Sequence, residues 1–265
     1  MWRRAWLAVA GICLLAEIAH ADTPPCSLTR GDTRAIARVL DGETLLLDDG
    51  RHLRLIGALA PRAADVSAAS GSWPPENATR DALAELAVGR SAVLWHDTVH
   101  RDRYGQMLAH VTIDGAWLQG TLITRGLARA YGRPGSDACT EVLAKLERSA
   151  REEARGLWTN AAYRVRASSR DDWGNAAGTF HVVSGTVRRV SRGSGEIYVS
   201  LGARRGRAYP LAAVVPGNRT DLTGGIAVRS LVGRRVLVRG WIEQRRGPVI
   251  VVDSKGQLEI VDVSQ

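Results

Sequence analysis

Lysine is almost missing from this chain. Of 36 basic side chains only Lys145 and Lys255 are not arginine, a bias that suggests G+C-rich coding, so arginine in place of lysine is not by itself a recognition signal. Aromatic residues are also scarce, at 5% with a single Phe. The last third carries only Phe180, Tyr198, Tyr209 and Trp241, few for a platform on which bases stack. No later stretch reaches the roughly 18 to 20 apolar residues a membrane span needs, which excludes a transmembrane helix. There are three cysteines, Cys13, Cys26 and Cys139, and none has the nearby histidines of a thiolate metal site.

At the start of the chain, Arg3 and Arg4 precede an apolar run from Ala5 to Ala16, followed by Ala19-His20-Ala21. This is the pattern of a secretory signal peptide, residues 1–21, cleaved after Ala21. The mature protein is expected outside the cytoplasm, periplasmic or secreted. Cleavage leaves Cys26 and Cys139, and in an oxidising compartment a lone pair of cysteines is expected to form a disulfide.

Charge is uneven along the chain. Residues 22–177 hold 20 basic and 20 acidic side chains, whereas residues 178–265 hold 14 and 6, a net of +8. Anion attraction is therefore expected of the C-terminal part. The expected division is a first domain over 22–165, a polar linker over 166–179 that includes SSRDDWGNAA, and a basic β-domain over 180–265.

The stretch from Arg38 to Arg62, RVLDGETLLLDDGRHLRLIGALAPR, is expected to be a β-meander. Apolar and polar residues alternate around Asp41-Gly42 and Asp49-Gly50, two strong turn signals. A two-residue loop at Asp49-Gly50 would set Leu45 opposite Arg54 and Glu43 opposite Ile56. Glu43 and Arg54 would then be diagonal neighbours on one face. Ala63–Pro75 is expected as an exposed loop, and a helix over Glu76–Val88 follows it. Strands are expected at Ser91–His96 and Ala109–Ile113, with a helix over Leu118–Arg125 and a last helix capped by Asp137. After the linker, strands are expected over Phe180–Val190, Ile197–Leu201, Ala208–Val215, Arg235–Glu243, Val249–Val252 and Leu258–Val261, with Leu222–Leu231 crossing between them. The fold class is mainly β with α.

Five segments resemble the staphylococcal nuclease, or thermonuclease, family. They are Val39-Leu-Asp-Gly-Glu-Thr-Leu-Leu-Leu, Arg54-Leu-Ile-Gly-Ala-Leu-Ala-Pro-Arg62, Asp102-Arg-Tyr-Gly-Gln106, Gly126-Leu-Ala128, and the run from Glu147 to Gly156-Leu-Trp158. The resemblance implies an OB-type five-stranded barrel with three helices, and the short strands that follow suggest a second small, OB-like barrel. The family's two metal carboxylates map onto Glu43 and Leu59, its water-activating glutamate onto Arg62, and its two phosphate-holding arginines onto Arg54 and Gln106. Glu43 and Arg54 are thus remnants of a catalytic site, and Glu43 is the one carried-over metal ligand. Leu59 cannot bind a cation, Arg62 puts positive charge where a base belongs, and Gln106 has lost its charge.

Asp65 is the candidate replacement ligand, while Asp41, Asp48 and Asp49 are explained by turn chemistry. His96, His100 and His110 lack a third zinc partner, and Asn77-Ala-Thr79 suits a helix start better than a glycosylation site. Arg103 and Tyr104 resemble the family's nucleotide-contacting positions, with Tyr131 a weaker candidate. Arg188, Arg189, Arg192, Arg204, Arg205, Arg207, Arg245 and Arg246 cluster at predicted turns, as a loop rim gripping a polyanion would.

The expected function is that of an exported pseudoenzyme binding nucleic acid or another polyanion through its C-terminal domain, with no cofactor. A slow calcium-dependent phosphodiesterase with a rearranged site is the alternative, and a structural envelope protein a third.

Overall fold

The structure, a computed structural model, describes residues 23–66, 71–169, 173–203, 209–223 and 225–261. The signal segment 1–21 and the arginines 204, 205 and 207 lie outside the described residues. The chain begins with strands β1 (Thr29–Val39), β2 (Thr44–Leu47), β3 (His52–Leu55) and β4 (Ala58–Leu59), followed by helix α1 (Pro74–Ala87). Strands β5 (Ser91–His96), β6 (Met107–Ile113) and β7 (Ala116–Trp117) lead to α2 (Leu118–Thr124), β8 (Arg129–Ala130) and α3 (Thr140–Glu152).

β1 pairs with both β2 and β5, β2 with β3, β3 in parallel with β6, and β6 with β5. That closes a five-stranded barrel. One strand can serve two neighbours because β1 is bent by register shifts between Arg30 and Thr33 and between Ile36 and Arg38, as bulges allow. β4 and β8 form a separate two-stranded sheet beside it. Leu45, Leu47, Leu53 and Leu55 alternate into the barrel and are almost completely buried, with Leu83 of α1 and Leu143 of α3 closing the core. Apolar burial of this kind contributes roughly 1.5–3 kcal/mol per large side chain.

The hairpin register differs from the expected one by one residue. Thr44 pairs with Arg54 and Leu45 with Leu53. The loop is longer because Leu47 N–H bonds Arg51 C=O and Gly50 takes a left-handed φ of 81°, giving a three-residue turn over 48–50. The expected loop over 63–75 is partly ordered: a 3-10 turn covers Ala63–Val66 with Ala63 buried. Pro74 and Pro75, expected at the end of that loop, instead begin α1, as proline can in a first helical turn. Nor does Asp137 cap α3. Cys139 holds that position, and the Asp137 carboxylate instead accepts from Lys255 N–H in the C-terminal part.

The second part contains β9 (Arg166–Ala167), β10 (Phe180–Thr186), β11 (Arg189–Gly193), β12 (Glu196–Ser200), β13 (Ala212–Pro216), β14 (Arg235–Gln244), β15 (Pro248–Val251) and β16 (Leu258–Ile260). β10 and β11 act as one bent strand, the first half paired with β14 and the second with β12. β12 pairs with β13, β13 in parallel with β15, and β15 with β14. This is the strand order of the first barrel again, although no residue-level repeat announces it. The stretch expected as a linker is built into this barrel: β9 pairs with β10, and Trp173 is buried in the second core.

The barrels share a packed boundary. Leu59 is buried with Phe180, Val182 and Leu237, beside Tyr131, Trp158 and Val261. Tyr131 meets Trp241 edge-on at 4.8 Å and Phe180 at 6.0 Å. Arg239 of β14 is fully buried, donates to Glu147 of α3 at 2.7 Å, and also pairs with Glu259 of β16. Cys26 and Cys139 form the expected disulfide, with Cα atoms 5.2 Å apart and a sequence separation of 113. It ties the segment before β1 to the start of α3. A chain-entropy model gives such a closure about 4–5 kcal/mol.

Candidate functional site

The turn before β2 holds Glu43 in an unusual place for a carboxylate. Leu40 N–H bonds Thr44 C=O, and the Asp41 carboxylate accepts from Glu43 N–H at 2.7 Å. Gly42 lets this turn press on the segment after β4, since a Cβ there would lie 2.7 Å from the Ala60 Cβ. Glu43 is thereby turned inward and is only 4% exposed.

Three donors converge on it. Ala60 N–H reaches Oε1 at 3.0 Å, Arg54 Nη2 reaches Oε2 at 2.6 Å, and Arg62 Nη2 reaches Oε1 at 3.0 Å and Oε2 at 2.9 Å. The Glu43–Arg54 contact expected from the sequence therefore exists despite the changed register, because Glu43 sits in the turn before the ladder rather than in it. Burial pulls on the Arg62 guanidinium, but attraction to Glu43 outweighs it and holds its pKa above the usual value. Arg62 thus places a fixed cation against the carboxylate.

The other positions mapped from the motifs do not join this cluster. Leu59 is 3% exposed and faces the second barrel. Asp65 is not a free ligand: its Oδ2 accepts from Arg129 Nη2 at 2.8 Å, from Tyr163 Oη at 3.2 Å and from Arg62 N–H at 3.2 Å. Arg129 itself is buried and lies over the rings of Tyr163 and Phe180 at 4.9 and 5.0 Å. Burial pushes the Tyr163 hydroxyl up to about 12. Nothing in the sequence marked Arg129 or Tyr163 except a charged and an aromatic residue in otherwise small or apolar runs. Gln106 and Tyr104 both donate through backbone N–H to the Asp102 carboxylate, which shapes a tight loop. Tyr104 projects from that loop, 75% exposed, with the Arg103 guanidinium 4.8 Å from its ring centre.

A calcium ion takes six to eight oxygen ligands from carboxylates, carbonyls and water, and among the residues mapped from the motifs the one carboxylate is Glu43. Both Glu43 oxygens are engaged by guanidinium groups, and Leu59 offers no side-chain oxygen. Among the described residues no group of three or more His, Cys, Asp or Glu side chains is placed to hold a metal ion. The His96 and His100 rings stack 4.8 Å apart, with His96 Nδ1 against Leu108 C=O.

His110 is buried, accepts from Trp117 Nε1, and has its pKa lowered by burial to about 3. Unfolded, it takes up a proton near pH 6.5; folded, only near 3. Stability should therefore fall as pH drops through this window, by on the order of 4 kcal/mol across it. Urea denaturation at a series of pH values should show a shallower acid slope for His110→Gln. An unchanged slope would remove His110 as its source.

The C-terminal arginines separate into different environments. Arg245 pairs with Glu196 at 2.9 Å and with Glu243 at 3.5 Å, so its charge is already compensated. Arg192 and Arg246 are exposed near the hairpin tips, and Arg188 and Arg189 are exposed at the bend between β10 and β11. Tyr131, Phe180 and Trp241 serve the boundary between barrels.

Residues 52–160 match the sequence profile of the family described as staphylococcal nuclease homologue. A protein of Escherichia coli O157:H7 described as an uncharacterized endonuclease is 32% identical over 130 residues, covering 48% of this chain and 76% of that protein. The thermonuclease of Staphylococcus intermedius is 27% identical over 158 residues, covering 57% of this chain and 93% of that enzyme. The chain belongs to the staphylococcal nuclease family. The family match ends at residue 160, so the second barrel lies outside it.

Proposed function

We propose that this staphylococcal nuclease homologue is an exported protein that binds nucleic acid or a comparable polyanion without the calcium-dependent hydrolysis its family name suggests. The observation that carries the reading is the state of Glu43. Its carboxylate is held by Arg54 and Arg62, and the second position from which a metal carboxylate would come is Leu59, packed against the second barrel. A site that already contains its own cation has little to gain from another. Binding without cleavage is left to the basic second barrel, whose net charge is +8 over residues 178–265. Export is supported by the N-terminal leader pattern and by the Cys26–Cys139 disulfide, a bond typical of oxidising compartments.

Thermal denaturation with calcium tests this reading. A ligand that binds only the folded state stabilises it by about 2.7 kcal/mol at a hundredfold excess over Kd, which moves Tm by several degrees in a chain of this size. Millimolar calcium should leave Tm unchanged, and denatured DNA should bind equally well in chelator. A calcium-dependent rise in Tm that Glu43→Ala abolishes would overturn it.

A further inference from the structure

We propose that the bend between β10 and β11 is where the second barrel grips the phosphodiester backbone of nucleic acid. This rests on the binding function proposed above and assigns it to one surface. At the bend, Val187 N–H bonds Arg234 C=O at 2.9 Å and Gly233 N–H bonds Val187 C=O at 2.9 Å, while Thr186 pairs with Arg235. These bonds set Arg188 and Arg189 beside Arg234 and Arg235, on backbone segments about 5 Å apart, the usual spacing of neighbouring strands. The 3-10 turn Val228–Leu231, which packs on β11, adds Arg229. Five arginines from three separate segments thus share one end of the barrel.

Their surroundings distinguish them from Arg219, Arg239 and Arg245, and their convergence from three segments distinguishes them from the exposed Arg192 and Arg246. Arg188, Arg189, Arg229 and Arg235 are exposed, and none has an ion pair among the described residues. By contrast Arg219 is paired with Asp221, Arg245 with Glu196 and Glu243, and Arg239 is buried. A paired guanidinium must give up a carboxylate before it meets a phosphate, whereas the exposed four give up only water. The acid on β16 does not interfere, because Glu259 is committed to Arg148 and Arg239.

The backbone beneath is firm, with Val187 and Leu231 fully buried under the arginines, so the charges are presented from fixed positions. No aromatic ring is among these residues. Contact is therefore to phosphates rather than bases, and binding should be indifferent to sequence.

The test uses the full chain and a labelled oligothymidylate, with affinity followed against salt. For single strands, each phosphate contact contributes a slope of about 0.7 in log affinity against log salt. Arg188→Ala/Arg189→Ala/Arg235→Ala should flatten the slope by about two units and weaken binding at least tenfold at about 0.1 M salt. Arg80→Ala/Arg90→Ala/Arg219→Ala removes the same charge from exposed ion pairs elsewhere and should leave both quantities close to wild type. Since all six side chains lie on the surface, Tm should not move by more than a degree or two in either variant, and Arg235→Glu should weaken binding more than Arg235→Ala.

If wild type binds and the bend variant binds equally well, the bend is not the site, while the binding function stands. If both triple variants lose affinity alike, net charge alone acts and the bend is again refuted. Dependence on the bend for heparin but not for the oligonucleotide would make the partner an anionic polysaccharide and overturn the proposal. Failure of the wild-type chain to bind at low salt would instead refute the underlying function.

Discussion

Arg239→Ala should destabilise the whole chain by about 3–5 kcal/mol, the usual cost of leaving buried charge without its partner. Arg239 is fully buried, and its guanidinium lies between Glu147 of the nuclease-like barrel and Glu259 of the second. Glu147 also accepts from Ala130 N–H at 2.6 Å, so the same carboxylate helps to hold β8 in place. Truncating the arginine leaves the fully buried Glu147 with Arg151 at 3.5 Å as its remaining cation, while Glu259 keeps Arg148 at 2.7 Å. The loss should appear in urea denaturation as a lower midpoint of a single transition, because the two barrels are joined by this group and by the aromatic cluster around Tyr131. A cost below about 1 kcal/mol would mean that water enters the boundary and that the pair is in effect a surface one.

Leu59→Asp should be nearly as damaging, although it restores the residue the family motif places there. Leu59 sits among Phe180, Val182 and Leu237, so the new carboxylate would be buried in an apolar cluster beside the cross-strand Arg129, whose guanidinium is already paired with Asp65. Burying an unpaired charge is among the few single changes that reach about 4 kcal/mol or more. Leu59→Ala, which only opens a cavity, should cost about 2–3 kcal/mol. Thermal denaturation of both variants with and without calcium makes the comparison, and calcium should rescue neither. Wild-type stability in Leu59→Asp, together with a calcium-dependent Tm, would show that the position is open to solvent and cation rather than packed against the second barrel.

These two residues mark the limit of what could be inferred before the fold was known. The Asp-Gly turns, the alternation from Leu45 to Leu55 and the family motifs place the strands of the first barrel, the Glu43–Arg54 contact and the reversed charge at Arg62. All of these depend on residues close together in sequence or on spacing within a motif. The one-residue register difference came from Gly50, whose left-handed conformation admits a longer turn as readily as the two-residue one.

The covering of Leu59 could not be inferred in the same way, since Phe180 and Leu237 lie more than a hundred residues downstream. Arg239 looked like any charge on a strand, because its acidic partners come from a helix of one barrel and a short strand of the other. Asp65 seemed a spare carboxylate for the same reason: Arg129 and Tyr163 reach it only after folding. The bend arginines were legible as charges but not as a group, since hydrogen bonds at Val187 bring 188–189 to 234–235. The strands of the second barrel were legible from its short alternating runs, but their pairing order was not. Nor was the identity of that order with the first barrel's, because topology repeats here without sequence.

Hydrolysis of denatured DNA by the full chain, in calcium and in chelator, with binding to the same DNA followed in parallel, bears most directly on the account. The expected result is binding that survives chelation and no cleavage that calcium stimulates. Calcium-stimulated cleavage that Glu43→Gln or Arg54→Ala abolishes would contradict it, and would mean that Arg62 leaves Glu43 when substrate and metal arrive.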